Sequence, residues 1–111
     1  MKKLSLIMVA ALLLCSGLAQ AQQQEEFNKA VASVGAQGSF NGPGTLGYFR
    51  VVGDFALPCM YDVVYFNPAN DFGKAAQNTI LAAKNTGHNL SRVVYDQGAD
   101  QLCYLHLVEF E

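Results

Sequence analysis

Residues 70–110 read NDFGKAAQNTILAAKNTGHNLSRVVYDQGADQLCYLHLVEF, and a change of periodicity inside this stretch decides the fold class. Phe72, Ala75, Ala76, Thr79, Ile80 and Ala83 recur at i, i+3, i+4, i+7, i+8 and i+11, one apolar stripe of an α-helix. Lys74, Gln77, Asn78, Lys84 and Asn85 fall mostly on the other side. Asn70 or Asp71 caps the start, and Gly87 ends the helix as its C′ residue. Beyond Gly87 the period drops to two. Residues 90–95 predict a strand, and residues 96–100 a turn with Gly98 at the positive-φ position. In residues 101–110, Leu102, Tyr104, His106, Val108 and Phe110 alternate against Cys103, Leu105, Leu107 and Glu109, which predicts a second strand. The two strands form an antiparallel hairpin, and a helix feeding such a hairpin belongs to the α+β class.

Upstream, residues 46–52 (LGYFRVV) are rich in aromatic and β-branched side chains and predict a strand. Residues 59–66 (CMYDVVYF) predict another, ended by Asn67-Pro68. Tyr61, Val63 and Tyr65 share one face; Met60, Asp62, Val64 and Phe66 share the other. Both faces are mostly apolar, so this strand is expected at the centre of a sheet. Residues 22–44 open polar and then place Phe27, Ala30, Val31 and Val34 at i, i+3, i+4 and i+7, the spacing of a short N-terminal helix. Glycines and Pro43 make the rest of that segment a loop. The expected order is α-β-β-α-β-β, with residues 45–111 as the β-β-α-β-β core of a single domain spanning 22–111.

Residues 1–21 read as an export signal. Lys2 and Lys3 form a positive n-region, residues 6–15 are an unbroken apolar run, and Ala19-Gln20-Ala21 is a cleavage site that makes Gln22 the mature start. Ten apolar residues rise about 15 Å as a helix, half of a ~30 Å hydrocarbon core, so no stable membrane insertion is expected. Leu14 precedes Cys15 where lipoprotein processing wants a small side chain, so Cys15 is read as leaving with the signal. The whole chain of 111 residues carries a net charge of −2, with seven basic and nine acidic side chains. Without Lys2 and Lys3 the balance is five against nine, and no basic cluster remains for nucleic acid. Secretion or a periplasmic location implies an oxidising environment, and the two remaining cysteines, Cys59 and Cys103, then predict a disulfide. The alternatives are two buried thiols or a metal pair, but the spacing and two histidines make poor zinc arithmetic.

No catalytic constellation emerges. His88 sits just past a helix end, where an imidazole helps the terminal carbonyls, and Ser91 lacks a nucleophile elbow. His106 lies on an apolar strand face and reads as a core or interface histidine. Asp54 and Asp62 read as turn or water-facing carboxylates rather than a glycosidase pair. Gly42-Pro43-Gly44 is too short for a phosphate loop, and the Asn89-Leu90-Ser91 sequon matters only in a host that glycosylates exported proteins. No cofactor, metal ligand or catalytic residue is assigned. The β portion is rich in aromatics (Tyr48, Phe49, Tyr61, Tyr65, Phe66, Tyr95, Tyr104 and Phe110). Most fill a core that has no tryptophan, and a few exposed tyrosines suit sugar rings or a partner surface.

Residues 73–108 resemble the B subunits of AB5-type toxins, most closely of the subtilase-cytotoxin and typhoid-toxin style. The match is the helix from Gly73 to Gly87, a strand carrying Val93-Val94-Tyr95, and a final strand with Cys103. An upstream strand with Cys59 and the export signal also fit. The resemblance implies an OB-fold, a small Greek-key barrel with one helix at an end, assembled into a ring that binds glycans on host cells. A barrel needs at least five strands, so one more is expected within residues 33–44. The sugar-binding segment of that family has no counterpart here, so no contact residue is carried over. The expectation is an exported, non-catalytic binding protein for a carbohydrate or protein surface. The alternative is a monomeric inhibitor or immunity-type protein with a protein partner.

Overall fold

The computed structural model describes residues 22–40 and 42–110. The predicted signal peptide lies outside the described residues. The described chain is α+β, with one α-helix and a six-stranded mixed sheet. The elements are β1 (Gln22–Lys29), β2 (Val31–Gly38), β3 (Thr45–Val51), β4 (Val64–Phe66), α1 (Asp71–Thr86), β5 (Leu90–Gln97) and β6 (Cys103–Phe110). The strand order is β1-β5-β6-β4-β3-β2, so the two strands at the ends of the sheet follow one another along the chain through Ala30. All ladders are antiparallel except β4 with β6. The sheet is not closed into a barrel by a ladder between β1 and β2. No helix among the described residues is long and apolar enough to cross a membrane.

The N-terminal helix expected from Phe27, Ala30, Val31 and Val34 is two strands instead. A bulge explains the misleading spacing. The β2–β3 register shifts between Val31 and Ser33, and an extra residue in a strand reverses which face later side chains occupy. Val31 and Val34, three apart, therefore both pack on the core. Phe27 is 56% exposed, and β1 is held by its ladder to β5 and by Glu26. That carboxylate, the one buried acidic group among the described residues, accepts hydrogen bonds from the Tyr95 hydroxyl and from the Ala56 amide (2.9 Å), and pairs with Lys29 at 3.2 Å. The extra strand expected in residues 33–44 is β2, which begins earlier, at Val31.

The same device operates in β6. Tyr95 faces Leu105 and Val94 faces Leu107, so His106 is the extra residue. The core side of β6 consequently runs Cys103, Leu105, Val108, Phe110, rather than following one alternation throughout. The hairpin connection is residues 98–102, and its left-handed residue is Gln101 (φ 69°), not Gly98. The strand expected over 59–66 keeps only Val64–Phe66. Residues 60–62 form a short 3-10 turn, because Tyr61 and Asp62 adopt left-handed backbone angles that no ladder accommodates.

Helix α1 forms as its caps dictate. Asn70 Oδ1 accepts from the Gly73 amide at 2.7 Å. Gly87 (φ 72°) donates to Lys84 O, and the His88 amide to Ala83 O, the paired bonds of a Schellman ending. Its buried stripe is Gly73, Ala76, Ile80 and Ala83, rotated from the expected one, so Phe72 and Ala75 face outward. A Cβ on Gly73 would lie 1.5 Å from Asn67 O, so only glycine allows the helix to start this close to the preceding turn. The helix covers the inner face of the sheet over Phe49, Val64, Phe66, Val93 and Cys103.

Cys59 and Cys103 are joined by a disulfide with Cα atoms 5.5 Å apart. The bond ties the segment before β4 to the start of β6, and both cysteines are buried.

A tyrosine groove as candidate functional site

Residues directly opposite in neighbouring strands share a face. Gly35 opposes Tyr48, Tyr48 opposes Tyr65, and Tyr65 opposes Tyr104, which in turn opposes Asp96. Three tyrosines thus stand in one row across β3, β4 and β6, on the face of the sheet away from α1. Successive ring centroids are 6.2 Å apart, first Tyr48 to Tyr65 and then Tyr65 to Tyr104. Gly35 is what makes room at one end. A Cβ there would sit 2.5 Å from Cζ and the hydroxyl of Tyr48, so the ring lies over β2 only because residue 35 has no side chain.

Around this row runs an open groove of about 360 Å³ lined by Gln37, Phe40, Tyr48, Arg50, Tyr61, Val63 and Tyr65. Tyr65 is its floor, fully buried, with its hydroxyl donating to Gln37 Oε1 at 3.2 Å. Phe40, from the β2–β3 loop, meets the Tyr65 ring edge-on at 5.7 Å and is 47% exposed. The Arg50 guanidinium lies 5.5 Å from the Tyr48 ring centroid, a cation–π contact, and donates to Tyr61 O at 3.4 Å. Among the described residues Arg50 makes no ion pair. Tyr61 is 60% exposed. Burial, then the neighbouring Tyr61, Tyr104 and Tyr48 hydroxyls, raise the pKa of Tyr65 above its ordinary value. Burial and the Asp100 carboxylate raise that of Tyr104. The phenols of Tyr65 and Tyr104 are therefore neutral donors and acceptors at physiological pH.

A second hollow of about 470 Å³ lies further along the sheet, lined by Gln23, Glu25, Arg92, Val94, His106 and Leu107. Its ionisable side chains already have partners. Arg92 pairs with Glu25 (2.5 Å) and Glu109 (3.7 Å), and His106 pairs with Asp96. His106 is therefore an exposed residue on a bulge, not a core histidine. The ring of His88 stands edge-on to Phe110 at 6.5 Å, and its backbone amide makes one of the helix-ending bonds. Asp54 and Asp62 are both exposed at left-handed turn positions. Among the described residues no three His, Cys, Asp or Glu side chains are grouped to hold a metal ion.

Of the groove, the sequence marked Tyr48, Tyr61, Tyr65 and Tyr104 only as part of a general aromatic richness. It gave no reason to single out Gln37, Phe40 or Arg50. One signal was available: Tyr48 and Arg50 are two apart in a strand and so share a face.

No protein-family model matches this chain, and no curated protein or solved structure matches it.

Proposed function

We propose that the chain is an exported, non-catalytic binding domain of OB-like architecture that takes carbohydrate in the tyrosine groove. The single observation that carries the reading is the row of Tyr48, Tyr65 and Tyr104 beside Arg50 and Gln37. Aromatic faces pack on the apolar faces of sugar rings, while phenol, amide and guanidinium groups hydrogen-bond their hydroxyls.

Topology supports the OB-like part. Counted as one long bent strand, β1 and β2 reduce the sheet to five strands, with the helix between the third and the fourth. In OB-folds the ligand face is that of the second and third strands with the adjoining loops. By this count those are β3 and β4, which carry Tyr48, Arg50 and Tyr65, with Phe40 on the adjacent loop. Oligonucleotides use the same face, but a phosphate backbone requires several cations, and this groove holds one, Arg50.

The chain contains no tryptophan and five tyrosines, of which three line the groove and a fourth adjoins it. Intrinsic tyrosine emission is therefore a reporter of the site. Titration of the mature protein with methyl pyranosides and short oligosaccharides is expected to change that emission saturably, and Tyr48→Ala to abolish the change. A wild-type protein indifferent to every sugar, yet retaining a protein partner from its own exported milieu, would sink the carbohydrate reading in favour of the inhibitor-like one. Solution mass tests the assembly that the toxin resemblance implies: a mass near five protomers supports a ring, and a monomer removes it.

A further inference from the structure

Tyr61 is an aromatic residue in a conformation that disfavours it. Its backbone angles are φ 65° and ψ 8°, and the next residue, Asp62, is also left-handed at φ 58°. Glycine, or failing that asparagine, is the residue a turn of this shape prefers, because a Cβ crowds the backbone there. Packing does not explain the tyrosine, since the side chain is 60% exposed. The turn around it, by contrast, is pinned at several points. Cys59 is fixed by its disulfide to Cys103. The Met60 amide donates to Gln101 O at 3.0 Å and the Asp62 amide to Cys59 O at 3.0 Å. Val63 anchors the exit in a small apolar cluster with Tyr65 and Leu102, and Arg50 reaches the Tyr61 carbonyl from the groove itself.

A rigidly held, unfavourable backbone that presents a large ring to solvent at the rim of a groove is where strain and function coincide. We infer that Tyr61 is the specificity-determining contact of the groove, its ring held clear of the core to cover a pyranose seated against Tyr48 and Arg50. The inference rests on the carbohydrate reading of the groove. Its distinguishing feature is that stability and binding respond to Tyr61 with opposite sign. A residue kept for the fold loses both when replaced; one kept for a ligand gains stability when replaced by a residue suited to the turn.

The test compares Tyr61→Asn, Tyr61→Phe and wild type in thermal unfolding and in binding to whichever methyl pyranoside or oligosaccharide gives the strongest emission change. Tyr61→Asn is expected to raise Tm by about 4 °C or more and weaken binding about tenfold or more, with Tyr61→Phe close to wild type in both. Because Tyr61 is itself an emitter, affinities are taken from calorimetry. If Tyr61→Asn lowers Tm, the ring is structural and the inference fails. If it binds the sugar as wild type does, Tyr61 is not a contact, and the inference fails while the groove reading stands. If wild type binds no sugar in the series, the groove reading fails and takes the inference with it.

Discussion

At the scale of single residues, Glu26 and Gly73 show how little latitude the fold leaves. Glu26 holds β1 against the segment after β3 through the Tyr95 hydroxyl and the Ala56 amide, and Tyr95 in turn accepts from the Leu57 amide at 3.1 Å. Removing the Glu26 carboxylate takes the acceptor away from the buried Tyr95 hydroxyl. Glu26→Ala is therefore expected to cost about 3 kcal/mol, read from urea unfolding. Burial and then the Glu26 carboxylate raise the Tyr95 pKa well above the ordinary tyrosine value of 10.0. A raised folded-state value means that the neutral phenol contributes stability below pH 10, which is lost as pH rises toward the folded-state value. The midpoint of unfolding should fall above pH 10, and Tyr95→Phe, less stable at neutral pH, should show a shallower decline. Gly73→Ala puts a methyl 1.5 Å from the Asn67 carbonyl. It is expected to cost about 3 kcal/mol, at the upper end of overpacking, whereas an ordinary exposed helical glycine gains from the same change.

At the scale of elements, the bulges matter more than propensity. His106 contributes almost nothing as a side chain: it is exposed, and its contact with Asp96 is a surface pair worth about 0–1 kcal/mol. As an inserted residue it is essential, because it returns Val108 and Phe110 to the core side after Cys103 and Leu105. His106→Ala should leave stability within about 1 kcal/mol. Deletion of His106 should leave the protein unfolded by circular dichroism, since a shift of one position turns those two side chains toward water. The bulge between Val31 and Ser33 acts alike in β2. There it disguised a strand as a helix, because two valines on one face stand three apart. The helix expected over residues 70–87 and the β5–β6 hairpin formed close to where caps and alternation placed them, because those signals are local, although the helix buries a rotated stripe and the His106 bulge breaks the alternation of β6.

At the scale of the whole molecule, the chain returns to its start. Strands β1 and β2 occupy opposite ends of the sheet yet adjoin in sequence, and β4 and β6 run parallel beside each other. The Cys59–Cys103 bond, 44 positions apart, fastens that parallel pair. Closing a loop of this length is worth about 4 kcal/mol by the chain-entropy model, a large part of a small domain's total of roughly 5–10 kcal/mol. The double variant Cys59→Ala/Cys103→Ala is expected to lower the unfolding free energy measured in urea by that amount, and with it the midpoint. An unchanged midpoint would show that the denatured chain is not restrained by the bond.

Local sequence alone specified the α+β class, the helix over 70–87 with its Gly87 ending and a start at Asn70 or Asp71, the final hairpin and the cysteine pairing. Each depends on residues close in the chain or, for the disulfide, on a count of two. Tertiary structure alone decided that residues 22–38 are strands, that the two bulges set the core faces of β2 and β6, and that Gly35, Tyr48, Tyr65 and Tyr104 align. Those outcomes depend on cross-strand register, which in the tyrosine row joins residues 13 to 39 positions apart and leaves no periodic trace in any one strand. The groove was illegible for the same reason: its tyrosines could be named from the chain, but only the pairing of β3, β4 and β6 puts them in a row.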